Sequence, residues 1–253
     1  MQEKVWFENS KGDKLCGILS NPSGDKKKLV VIVAHGFSSS KESSSYPLFE
    51  ELFNKNNISC LRFDFWGHGE SDGDFADITV SEAIDDINNA IKYLKNNNYT
   101  NIGLVGSSFG GMVSILAVAN SDDIKILGLR APVSDYLAHL LAKHSKTTIE
   151  DWKNNGFMFW ISGHGRKLRL NYSFFEDSKQ YDGHKEASKI KVPTIIVHGA
   201  KDISVPLSQS EQTSKEIKNC KLIVYPKANH WFEHGTDKED AIKAIVDFFV
   251  EKA

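Results

Sequence analysis

Gly106-Ser107-Ser108-Phe109-Gly110 follows the apolar run Ile102 to Val105 and opens a second one, Met112 to Ala119. A run of strand length, a turn flanked by glycines and a run of helix length together predict a strand, a sharp turn and a buried helix. In such a turn the central residue, Ser108, holds a strained backbone conformation, and glycines on both sides remove side chains that would clash. Its hydroxyl is left exposed at the top of a sheet with a helix N-terminus behind it. Negative charge developing there meets backbone N–H groups and the helix dipole. Ser108 is therefore a candidate nucleophile, although a glycine-rich helix start with an incidental serine fits the same five residues. The rest of the chain has to choose between these readings.

A serine hydroxyl is a poor nucleophile at neutral pH, so it needs a general base, and the base needs a carboxylate to orient it. Downstream, Val192-Pro193-Thr194-Ile195-Ile196-Val197-His198-Gly199 reads as a buried strand entering a turn, and Asp202 sits three residues past Gly199. Leu222-Ile223-Val224-Tyr225 reads as one more strand, followed by the loop Ala228-Asn229-His230-Trp231-Phe232. The chain order is Ser108, Asp202, His230: nucleophile, acid, base.

Four motifs now stand in order from residue 30 to 235: His35-Gly36-Phe37 after Leu29 to Ala34, Asp64-Phe65-Trp66-Gly67-His68-Gly69-Glu70-Ser71 after Ile58 to Phe63, the serine turn, and the acid and histidine loops. With these the chain resembles the α/β-hydrolase superfamily, in the neighbourhood of small esterases and serine aminopeptidase-like hydrolases. The resemblance implies an α/β-hydrolase fold with Ser108, Asp202 and His230 as the catalytic triad. It also implies an oxyanion hole made by the backbone N–H groups of Phe37 and Phe109, with no cofactor. The leading activity is hydrolysis of carboxylic esters of small or medium acyl or aryl groups through an acyl-enzyme. An aminopeptidase or amidase, a thioesterase, a carbon–carbon bond hydrolase and a non-catalytic ligand-binding protein of this fold remain alternatives, because fold does not fix substrate.

Composition points the same way. The 253 residues suffice for a single domain with one large core, residues 1–253. Thirty-one basic residues against 33 acidic ones give a net charge of −2, so no global field draws the chain to nucleic acid or an anionic membrane, and a small-molecule ester is the expected partner. Cys16, Cys60 and Cys220 have no metal-ligand spacing. Neither a signal sequence nor an apolar run long enough to span a bilayer is visible, and the expected setting is cytoplasmic. His68, His139, His144, His164, His184, His198 and His234 show no zinc-peptidase spacing, so no metal is expected. His198, ending a strand, reads as buried and hydrogen-bonded.

The first twenty residues read as two strands around Ser10-Lys11-Gly12-Asp13, an antiparallel hairpin at a sheet edge. From Leu29 strands and helices alternate, which predicts a mostly parallel, doubly wound sheet. Val80, Ala83, Ile84, Ile87, Ile91 and Leu94 share one face of a helix over 80–95, with a capping box from Thr79 and Glu82. Ser208 with Glu211 and Thr236 with Glu239 repeat that capping pattern.

Between about 131 and 188 the alternation stops. Tyr136, Trp152, Phe157, Phe159, Trp160, Tyr172, Phe174 and Phe175 fall there without a clear strand, which predicts a small, partly helical cap. Most of these aromatics are expected to pack the cap onto the main domain. An aminopeptidase would need a cap carboxylate for the substrate ammonium, for which Glu150, Asp151 and Glu176 are the candidates. Arg166-Lys167-Leu168-Arg169 reads as a solvated basic face, with receipt of a substrate carboxylate as the other reading.

Overall fold

Val31 and Val33 face one hydrophobic core while Val30, Ile32 and Ala34 face another, so a single five-residue strand divides the molecule into two layers. This is the period-two alternation of a strand buried on both sides. The computed structural model describes residues 2–163 and 165–253, so His164 of the histidines considered above lies outside the described residues.

That strand is β3 (Val30–Ala34). It pairs in parallel with β4 (Ser59–Phe63) on one side and β5 (Ile102–Ser107) on the other. Beyond β5 come β6 (Ile124–Arg130), β9 (Thr194–Gly199) and β10 (Cys220–Tyr225), all parallel. Beyond β4 lie β2 (Lys14–Ser20) and the edge strand β1 (Gln2–Glu8), the antiparallel N-terminal hairpin read from the sequence. The order is β1-β2-β4-β3-β5-β6-β9-β10. Helices α1 (Ser45–Lys55) and α9 (Asp237–Lys252) cover one face, where the rings of Phe53 and Phe249 meet at 5.5 Å. Helices α2 (Val80–Asn96) and α3 (Phe109–Ala119) cover the other. This is the α/β-hydrolase fold.

Helix α2 begins as expected, with the Thr79 hydroxyl accepting from the Glu82 N–H at 3.0 Å. The two later capping boxes are not formed. Helix α8 (Leu207–Glu216) starts directly after Pro206 and leaves Ser208 inside its first turn, while the Thr236 hydroxyl donates to the Asp240 carboxylate at 2.7 Å instead.

Between β6 and β9 lie α4 (Tyr136–Lys143), α5 (Lys146–Asn155), α6 (Ser173–Ser178) and α7 (Gly183–Ala187). The same stretch also contains strands, contrary to the sequence reading: β7 (Phe157–Ile161) and β8 (Lys167–Asn171) form an antiparallel ribbon. Its alternation was hidden because β7 is apolar on both faces. The expected solvated basic face is part of what covers it, with Lys167 Nζ 3.9 Å from the Phe159 ring and Arg169 4.2 Å from that of Phe157.

Candidate active site

Ser108 stands between β5 and α3 at φ 53° and ψ −115°, a conformation that L-residues avoid. The neighbouring backbone tolerates nothing larger than glycine. A Cβ on Gly106 would lie 2.4 Å from the Gly110 carbonyl, and one on Gly110 would lie 2.4 Å from that of His35. Hydrogen bonds hold the turn, from the Ser108 N–H to the Arg130 carbonyl (3.0 Å) and from the Val133 N–H to the Ser108 carbonyl (3.1 Å).

The two later loops converge on this turn. His230 Nε2 is 3.1 Å from the Ser108 hydroxyl, and its Nδ1 is 2.7 Å from Asp202 Oδ2. Asp202 also accepts from the Ser204 and Val205 N–H groups, both at 2.8 Å. A fourth partner is His198, whose Nε2 lies 3.2 Å from the same Oδ2 and whose Nδ1 contacts the Ser210 hydroxyl at 2.6 Å. Burial pushes the Asp202 carboxyl upward, but the hydrogen bonds from His198 and His230 outweigh it and hold the group well below the usual carboxylate range. It stays ionised, as an acceptor fixed from three sides. The sequence marked His198 as buried and bonded. Its link to Asp202 is an i, i+4 approach across a turn, which no strand or helix period signals.

Phe37 follows β3 in the loop beside the serine, and a Cβ on Gly36 would sit 3.5 Å from the Ser108 Cβ. The backbone N–H groups of Phe37 and Phe109 have no acceptor among the described residues. Both are thus free to donate to an incoming oxygen. His35 takes no part there: buried completely, it accepts from the Phe65 N–H (3.1 Å) and contacts the Gly36 carbonyl through Nδ1 (2.8 Å). The Gly67-His68-Gly69-Glu70 segment is a turn around buried Asp64, which accepts from the Lys41 backbone (2.7 Å), the Lys41 ammonium (2.6 Å) and the Glu70 N–H (2.9 Å).

An aromatic wall encloses one side. The Phe37 ring meets those of Trp160 (5.0 Å), Phe174 (5.1 Å), Phe75 (5.2 Å) and Phe109 (5.4 Å), with Tyr136 at 5.9 Å. Trp152, Tyr172 and Phe175 instead pack among themselves. Of the candidate ammonium partners, Glu150 is exposed, Asp151 lines an outer groove with Trp152 and Phe157, and Glu176 is paired with Lys179 at 2.6 Å. Arg166 donates to the Ser38 carbonyl at 3.2 Å, tying the β7–β8 turn to the loop after Phe37.

A residue that sequence reasoning missed is Arg130, at the end of β6. Its guanidinium donates to the Trp231 carbonyl at 3.0 Å and covers the Phe232 ring at 4.7 Å, while its own carbonyl anchors Ser108. One residue thereby ties the serine turn to the histidine loop. Burial holds the guanidinium below its usual pKa, and the charge of the Asp202 carboxylate opposes that only in part.

Residues 54–253 match the prolyl oligopeptidase family. The chain belongs to that family. It is 30% identical over 237 residues to the uncharacterized protein YfhR of Escherichia coli O157:H7, covering 90% of this chain and 73% of that one. It is also 26% identical to the mouse mitochondrial palmitoyl-protein thioesterase ABHD10, over 86% of this chain and 74% of the relative. Among solved structures, Est1E from Butyrivibrio proteoclasticus with ferulic acid bound superposes with a TM-score of 0.85 at 29% identity, covering 98% of each chain. Family members of this kind are hydrolases. Among the described residues no helix is long and apolar enough to cross a membrane.

Proposed function

We propose that the protein is a serine hydrolase that cleaves carboxylic esters of small or medium acyl or aryl groups through an acyl-enzyme on Ser108. The observation that carries this reading is the continuous relay from Ser108 Oγ through His230 to Asp202 Oδ2, at 3.1 and 2.7 Å. In the first step Ser108 Oγ attacks the ester carbonyl carbon and its proton passes to His230 Nε2. Asp202 keeps the imidazole in the tautomer that leaves Nε2 free, then stabilises the imidazolium. The carbonyl oxygen becomes an oxyanion between the Phe37 and Phe109 amides, where each fixed donor contributes about 3 kcal/mol of transition-state stabilisation. His230 then protonates the departing alcohol, and afterwards activates a water that releases the acid and restores Ser108.

Two observations favour esters over aminoacyl amides. Glu150, Asp151 and Glu176 lie on the outer cap or are paired elsewhere, so no cap carboxylate from that set supports binding of a substrate ammonium. The aromatic wall around Phe37 also suits an apolar acyl or aryl group, and ferulic acid, the ligand in the Est1E structure, is an aryl acid. Chromogenic esters, thioesters and aminoacyl anilides assayed side by side test the reading. Esters of short acyl or aryl acids are expected to give the highest kcat/KM, and a higher value for an aminoacyl anilide would overturn it.

A further inference from the structure

One oxygen of Asp202 faces two imidazoles. His230 Nδ1 lies 2.7 Å from Oδ2 and His198 Nε2 lies 3.2 Å from it, while Oδ1 accepts from the Ser204 and Val205 N–H groups at 2.8 Å each. The triad needs only the first of these imidazoles. An ionised carboxylate offers about four acceptor sites, so His198 takes the last one, beside the hydrogen bond that orients the base.

The fold holds His198 in that place. Its side chain is fully buried near the end of β9, and a Cβ on the next residue, Gly199, would lie 2.3 Å from the Ala228 carbonyl. The Lys201 N–H donates to the same carbonyl at 2.9 Å, so the acid turn lies against the histidine loop. Besides Asp202, His198 Nε2 meets the Val205 carbonyl at 3.0 Å. A carbonyl and an ionised carboxylate only accept, so Nε2 carries the hydrogen. Nδ1 lies 2.6 Å from the hydroxyl of Ser210, itself fully buried in α8. Among the described residues no carboxylate except Asp202 is within ion-pair distance of His198, and that charge is already matched when His230 takes up its proton. A second positive charge in this buried place would have no counter-ion. His198 is therefore neutral, with Nδ1 accepting from the Ser210 hydroxyl.

Resting on the serine-hydrolase reading above, we propose that His198 is a positioning residue that sets the proton affinity of His230, with Ser210 holding it in the donor tautomer. A neutral donor on Oδ2 draws off part of the negative charge that stabilises the His230 imidazolium. His230 then stays an unprotonated base to lower pH than it would beside an undivided carboxylate charge. Arg130, His139 and Lys143 are the other ionisable groups that feel Asp202, through charge alone and not through a hydrogen bond to it. They are the same in every protein compared below.

The test is the pH dependence of kcat/KM for p-nitrophenyl acetate in the native protein, His198→Leu and His198→Gln. Its acid limb reports protonation of the base in the free enzyme. His198→Leu should move the midpoint of that limb up by about half a unit to one unit, and His198→Gln, whose amide can still donate, should return it most of the way. A merely structural role would lower the plateau and leave the midpoint in place. That result, or equal midpoints in the two variants, overturns the proposal. Nitrogen NMR of the native protein carrying 15N-labelled histidine decides the point even where His198→Leu does not fold. His198 is expected as a neutral ring with its hydrogen on Nε2 throughout the range in which His230 titrates, and a ring protonated on Nδ1 in that range would overturn the assignment. If the native protein neither turns over the ester nor takes up a fluorophosphonate, the serine-hydrolase reading has itself failed, and this role falls with it.

Discussion

The guanidinium of Arg130 donates to the carbonyl of Trp231 at 3.0 Å, 101 residues away in sequence and next to His230. Because the Arg130 carbonyl also accepts from the Ser108 N–H, the residue ties the loop of His230 to the turn of Ser108. Arg130→Met keeps most of the volume and removes the donor, at a cost of about 1.5–3 kcal/mol for a hydrogen bond to a charged group. The expected result is a fall in kcat of about tenfold or more with KM little changed, and partial recovery in Arg130→Lys. A variant that loses melting temperature while keeping kcat would show that Arg130 serves the fold alone.

On the proposed ester-hydrolase reading Phe37 borders the acyl group, and its ring contacts Phe75, Phe109, Trp160 and Phe174. Phe37→Ala should move the optimum of a p-nitrophenyl ester series toward longer acyl chains. The profile should be graded rather than abrupt, because an apolar pocket distinguishes one methylene by only about 1–3 kcal/mol. An unchanged optimum would place the acyl group elsewhere.

Stability should fall on mild acidification. Burial lowers the pKa of His68 and of His139 to about 3 and also lowers that of His35, so all three are neutral in the folded protein at pH values where the unfolded chain binds protons. Their contribution is intact above the unfolded imidazole pKa, about 6.5, and is lost progressively below it, at most about 1.4 kcal/mol per histidine per pH unit. Asp86 runs the other way. Burial raises its carboxyl pKa, so the folded state holds a proton that the unfolded chain has lost. Three histidines against one carboxyl leave a net rise of stability with pH between about 5 and 6.5. Denaturation midpoints across that interval should follow this slope, and His139→Gln should flatten it. Asp202 does not contribute there, since a depressed carboxylate adds stability that is present above its unfolded pKa, about 3.9, and lost only as pH falls through the folded value. A flat native profile would mean that these imidazoles are not held neutral.

The parts of this architecture legible in the sequence are those fixed by local chemistry. The glycine-flanked turn at Ser108, the two-strand start, the α2 face and the loops carrying Asp202 and His230 each announce themselves in a contiguous stretch of sequence. The β7–β8 ribbon does not, because Phe157-Met158-Phe159-Trp160-Ile161 offers no polar alternation and its cover comes from Lys167 and Arg169 on the paired strand. Strand β6 carries Arg130 but no turn or motif to mark it. Ser208 and Thr236 match a capping pattern that the chain does not use, since Pro206 starts α8 earlier and the Thr236 hydroxyl turns to Asp240. The contacts of Arg130 with the Trp231 carbonyl and the Ser108 N–H follow from tertiary placement, which no sequence period records.

The central claim is that Ser108 is the nucleophile, activated by His230 and oriented through Asp202. The most direct measurement is covalent labelling with a fluorophosphonate probe, followed by mass-spectrometric mapping of the modified peptide. Stoichiometric labelling on Ser108 is predicted, absent in Ser108→Ala and slowed in Asp202→Asn by up to about 10⁴-fold, the loss expected when the imidazole takes the wrong tautomer. Labelling on Ser107, or ester turnover undiminished in Ser108→Ala, would contradict the account.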